Sequence, residues 1–168
     1  MAKSTGLAVF ALIIAIGALG LGAYQVFFVS APTSEKSGIT NTWYDFHYAS
    51  ENTNPASTQL PIDQLLINFT VNSGESAFFL FSTYATVYAG APSHLQINFA
   101  LDGAVLSGPQ HPWWVLETFG SRISTPVSFH LALETISPGA HNVSIFIYGN
   151  NVNNGIFSST LLVQTYIS

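Results

Sequence analysis

Five histidines, His47, His94, His111, His130 and His141, are the side chains best able to do chemistry in a chain with eight Asp plus Glu and three Lys plus Arg. Imidazole moves protons near neutral pH and ligates metals. The spacing supports neither role, since no His-x-x-x-His or His-Glu-x-x-His run occurs. Asp45 and His47 are two positions apart, so on a strand they share a face and could supply two ligands, with no third in view. A solvated strand face is the alternative reading. Asp45, Asp63, Asp102, Glu75, Glu117 and Glu134 fall in separate segments, and nothing pairs two of them as glycoside hydrolysis requires. There is no Gly-x-Ser-x-Gly elbow, Gly-rich phosphate loop or calcium loop. No catalytic residue, metal site or cofactor is expected. An enzyme stands as a distant alternative that would need His130, Glu134 and His141 to meet in one pocket.

Composition narrows the field further. Only 7% of residues are charged, against roughly a quarter in an average soluble domain, while 48% are apolar and 14% aromatic. The surface must therefore stay hydrated through Ser, Thr, Asn and Gln. A formal charge of -5 cannot neutralise phosphates, so nucleic acid is excluded as a partner. The chain has no cysteine, which removes disulfides, thiolate nucleophiles and Cys-based metal centres. Two acceptor sequons, Asn68-Phe-Thr70 and Asn142-Val-Ser144, are candidate glycosylation sites in an exported protein. The run Asn150 to Gly155 could bind a sugar or a cation through amide oxygens; it reads better as a long turn, because Asn and Gly tolerate positive φ.

These residues must be positioned by two kinds of element. From Leu7 to Val29 the chain is apolar, broken only by Tyr24 and Gln25, and its 23 residues at about 1.5 Å each span roughly 34 Å. This predicts one N-terminal hydrophobic α-helix within residues 1–31. Lys3 before it orients the N-terminus to the cytoplasm and everything after Ser30 outside. The segment reads as a retained single-pass anchor. It could instead be a cleaved signal peptide or a pilin-like helix trimmed after Gly6, whose partners are neighbouring hydrophobic helices rather than lipid. Gly17 and Gly20 lie three apart on one helix face and are the candidate helix-packing residues. Pro32 ends the helix and opens a polar linker over residues 32–41.

Residues 42–168 carry period-two alternation. Leu95, Ile97, Phe99 and Leu101 oppose His94, Gln96 and Asn98, followed by an Asp102-Gly103 hairpin turn. Val127, Phe129, Leu131 and Leu133 alternate in the same way, as do Val143, Ile145 and Ile147. Further strands are expected at 43–49, 65–71, 77–89, 113–119 and 156–167, with turns at Asn72-Ser73-Gly74 and Ser137-Pro138-Gly139. Eight or nine strands without a crossover helix predict an all-β fold, an antiparallel β-sandwich of jelly-roll type. Trp43, Tyr44, Trp113 and Trp114 are the candidate interface residues, because the aromatics exceed what one small sandwich needs; core and rim positions are the alternative.

Three stretches, ESAFFLFSTYATVY from Glu75, SPGAHNVSIFIYG from Ser137 and GIFSSTLLVQ from Gly155, resemble in their order the complement globular head and tumour necrosis factor superfamily. The layout, with Gly17-Ala-Leu-Gly-Leu-Gly-Ala-Tyr24 before a β-domain, is similar to archaeal surface proteins. The resemblance implies a compact trimer with aromatic faces buried about a threefold axis, and binding rather than catalysis. The chain departs from that family in having no collagen-like or coiled stalk. Together these readings predict a non-enzymatic cell-surface head for adhesion or self-assembly, with its own copies, a glycan or a surface protein as partner. The alternative is a subunit of an extracellular filament.

Overall fold

A computed structural model describes residues 37–53, 59–89, 92–108 and 111–167. The hydrophobic segment from Leu7 to Val29, with Gly17 and Gly20, lies outside the described residues. No helix among the described residues is long and apolar enough to cross a membrane.

Eleven strands occur among the described residues. They are β1 (Gly38–His47), β2 (Glu51–Asn52), β3 (Leu60–Pro61), β4 (Ile67–Val71), β5 (Ser76–Val87), β6 (Ser93–Leu101), β7 (Ala104–Val105), β8 (Trp113–Thr118), β9 (Ile123–Leu133), β10 (Gly139–Gly149) and β11 (Gly155–Ile167). Eight are long and three are two-residue bridges, in keeping with the expected count. β1 begins at Gly38, ahead of the expected start of the β-domain at residue 42, because Gly38 and Ile39 pair with Ile167 and Tyr166. That pairing partner is remote in sequence, which no local pattern around Gly38 reveals.

The first sheet has the order β1-β11-β5-β9, with β2 beside β11; the second runs β3-β10-β6-β7, with β4 on β10 and β8 on β6. All pairings are antiparallel. Each sheet interleaves strands from both ends of the chain, and most connections cross from one sheet to the other. This is the jelly-roll order, an eight-strand sandwich of paired Greek keys.

The strands form where alternation lets one face leave water. Phe79 and Phe81 on β5, Leu161 and Val163 on β11, and Leu95, Ile97 and Phe99 on β6 are all buried at the sheet interface. Phenylalanine rings link the two layers. Phe79 meets Phe69 edge-on at 5.6 Å and Phe99 at 6.1 Å, and Phe129 lies 4.9 Å from Phe99 and 5.7 Å from Phe81. Truncating a ring at this centre costs about 3–5 kcal/mol.

The turns hold as their residues dictate. Asp102 and Gly103 both have positive φ (52° and 78°) between paired Leu101 and Ala104, as a type I′ hairpin requires. At Asn72-Ser73-Gly74, Glu75 donates its backbone N–H to Asn72 O at 3.1 Å, and its carboxylate accepts from Asn72 N at 2.8 Å. That second bond holds the Glu75 carboxyl below its ordinary range.

Candidate functional site

The histidines are dispersed. His47 Nε2 meets Glu51 Oε1 at 2.8 Å rather than Asp45, whose Oδ1 accepts from the Phe46 backbone N–H. His130 stacks on Phe78 at 5.5 Å, and His94 lies tilted against Tyr148 at 5.3 Å. His141 Nδ1 lies 2.8 Å from Asp102 Oδ2. His130, Glu134 and His141 therefore do not share a pocket: the first is on the outer face of β9, the last is bound to the β6–β7 turn. No group of three His, Asp or Glu side chains able to hold a metal occurs among the described residues.

The four candidate interface residues separate. Trp43 turns inward from β1 and packs on Phe69 at 6.0 Å, and Trp114 likewise packs against the core from β8. Tyr44 and Trp113 point outward, 63% and 61% exposed. They stand on different sheets, each on an edge strand, so the structure does not join them in one patch.

What it does assemble is the outer face of the first sheet. Cross-strand register sets Tyr44, Leu162, Leu80 and His130 in one row, and Phe46, Thr160, Ser82 and Ser128 in the next. Thr42, Gln164, Phe78 and Ala132 flank them on one side, and Phe157, Tyr84 and Pro126 on the other. None of these positions is Asp, Glu, Lys or Arg. Sequence reading identified Tyr44 but not the face, because Leu80, Leu162 and Phe78 lie in runs too apolar to reveal which side turns outward.

At one end this face opens into a groove of about 380 Å³ lined by Asn52, Thr86, Tyr88, Arg122, Asn153 and Phe157 among others. Gly155 forms its floor between Asn52 and Thr86. A Cβ there would collide with the Glu51 carbonyl oxygen, so no side chain fits. Arg122 is the sole Lys or Arg among the described residues, and its guanidinium carbon stands 4.6 Å from the Tyr88 ring centroid. Sequence reading passed over both; a lone cation in a charge-poor domain was the available signal.

The Asn150 to Gly155 run is a turn, and its amides are mostly committed to the protein. Asn154 is fully buried: its Oδ1 accepts from Tyr88 N at 2.8 Å, and its Nδ2 donates to His94 O at 2.8 Å. Asn150 bridges Pro92 O and His94 N. Asn153 alone of these lines the groove. The two sequon asparagines, 74 positions apart in sequence, are direct cross-strand partners on β4 and β10.

The second His–carboxylate pair sits on the other sheet. Asp102 Oδ1 accepts from Asn142 N at 2.9 Å, and His141 Nε2 lies 2.8 Å from Ser137 O. The Asp102 hydrogen bond raises His141 above its ordinary pKa, and the same bond lowers Asp102.

Strand order and exposed face define the described region as a jelly-roll β-sandwich domain with an aromatic sheet face whose central rows hold no Asp, Glu, Lys or Arg. No family model matches the sequence, and no curated protein matches it. Solved structures of similar form include the CBM36-1 domain of a multidomain xylanase from the hindgut metagenome of Trinervitermes trinervoides, at 10% identity, 73% of this chain, 96% of that one and TM-score 0.39. The globular domain of zebrafish complement 1qA protein matches at 12% identity, 75% and 95% coverage and TM-score 0.37. A disulfide-linked pilus protein of Bacillus endospore appendages matches at 16% identity, 83% and 97% coverage and TM-score 0.34.

Proposed function

We propose that this is a non-enzymatic extracytoplasmic surface protein whose jelly-roll head assembles with copies of itself through the outer face of the first sheet. One observation carries the reading. A chain of net charge -5 repels its own copies wherever acidic groups face each other, and the four cross-strand rows at the centre of this face hold no Asp, Glu, Lys or Arg while presenting Tyr44, Phe46, Leu80 and Leu162. Exposed aromatic and aliphatic side chains on a face free of fixed charges are what self-complementary interfaces use. In this reading the segment from Leu7 to Val29 anchors the head in the cell membrane as a single pass, with the head outside. Gly17 and Gly20 are where neighbouring helices meet, and Asn68 or Asn142 is where a glycan attaches.

The second reading is a filament subunit in which those helices pack on each other instead of on lipid. The same face then joins heads in the outer sheath.

Native protein extracted in mild detergent, imaged by negative-stain microscopy with intact mass measured on the same sample, tests both. Discrete symmetric particles that keep the N-terminal segment support the anchored head. Long filaments lacking residues 1–6 support the filament and end the anchor reading. Tyr44→Glu with Leu162→Glu should reduce either assembly to single heads; assemblies unchanged by that pair would remove this face as the interface.

A further inference from the structure

We propose that the groove floored by Gly155 binds a carboxylate-bearing saccharide, with the Arg122 guanidinium receiving the carboxylate. Arg122 is the single fixed positive charge among the described residues of an acidic protein. No carboxylate lies within ion-pair distance of it among those residues. Glu51, next to the lining residue Asn52, has its backbone oxygen against Gly155 but turns its carboxylate to His47 at 2.8 Å. The guanidinium is therefore not used up in the protein's own electrostatics. The Tyr88 ring beneath it, at 4.6 Å, holds the group in place without occupying its hydrogen-bond donors.

The surroundings specify the rest of the ligand. Asn52, Asn153, Ser50 and Thr86 offer uncharged donors and acceptors, and Phe157 offers an apolar ring. Amides, hydroxyls and an aromatic surface together match the alternating polar edges and apolar faces of a sugar ring. The volume, about 380 Å³, falls within the range of small-ligand sites. A planar fork with five donors pairs bidentately with one carboxylate. Gly155 lines the groove between Asn52 and Thr86.

This binding does not depend on assembly through the rest of the sheet face, and the two can be read apart. The full-length protein in mild detergent is titrated calorimetrically with trigalacturonate, with a neutral trisaccharide and with inorganic phosphate, at low and at high salt. Trigalacturonate should bind and weaken as salt rises. Arg122→Ala should lower its affinity at least about tenfold, the scale of a lost hydrogen bond to a charged group. Arg122→Lys should retain part of it. Light scattering on the same samples should show the oligomeric state unchanged by Arg122→Ala. Absence of trigalacturonate binding, equal affinity in Arg122→Ala, or equal affinity for the neutral sugar overturns the proposal, as does phosphate binding as tightly as the uronate. Loss of the oligomer in unsubstituted protein overturns the assembly reading alone.

Discussion

His141 can donate to both of its neighbours, Asp102 Oδ2 and Ser137 O, only when both ring nitrogens carry protons. Its folded pKa is raised above 6.5, so its contribution to stability is fully present below about 6.5 and is lost as pH rises through the raised value. Asp102 is lowered from 3.8, so its contribution is present above about 3.8 and is lost as pH falls through the lowered value. The pair is thus strongest between about pH 4 and about pH 6.5. Urea unfolding from pH 5 to pH 8 should show stability falling across the upper half of that range, and His141→Gln should flatten the slope; identical slopes would remove the pair as its cause. At Gly155 the argument is steric. Gly155→Ala drives a methyl into the Glu51 carbonyl and should destabilise by about 1–3 kcal/mol. Gly120→Ala, with open space around its Cβ, should leave the unfolding midpoint unchanged within a few tenths of a kcal/mol.

Among the elements, the connection between β10 and β11 does more than reverse the chain. It crosses from one sheet to the other, so its polar backbone reaches the open end of the sandwich, where ladder partners are missing. Asn154 fills that gap by accepting from Tyr88 N and donating to His94 O, while its own carbonyl accepts from Thr53 N at 2.8 Å. Asn154→Ala strands the first two groups and should cost about 3 kcal/mol in chemical unfolding. A surface amide would cost a small fraction of that, so the size of the loss separates the two roles. The strands themselves were well marked in the sequence, and Ser93–Leu101 falls where its alternation placed it. Asn98 departs from that pattern. It lies on the polar side of β6 yet is 2% exposed, sealed between its cross-strand partners Trp113 and Phe146, with its Nδ2 unpaired. Alternation assigns a side chain to a face; burial on that face depends on what the neighbouring strands place beside it.

For the whole molecule, the uncharged centre of the outer face sets the expected salt response. Contacts between charges weaken as ions screen them, whereas apolar contacts do not. An assembly held by Tyr44, Phe46, Leu80 and Leu162 should therefore survive a rise from low salt to about 1 M NaCl in light-scattering measurements, where the Debye length is only about 3 Å. Dissociation under that salt would point to charged edges instead. The Arg122 groove at the end of the same face should respond in the opposite sense, since its proposed ligand is held through a charge.

The sequence by itself determined the all-β class, the alternation of the clearest strands and the turn chemistry at Asp102-Gly103, because side-chain periodicity and φ preference are local properties. It also showed that the titratable groups are few and widely spaced along the chain. Only the tertiary structure decided that Trp43 and Trp114 face the core while Tyr44 and Trp113 face out. It alone joined His141 to Asp102, set Asn68 beside Asn142, and gathered Arg122, Tyr88 and Gly155 around one groove. Each of these juxtapositions is made by strand order across two sheets. Pairing partners there lie tens of residues apart, and a sequence pattern with a period of two does not say which strands become neighbours.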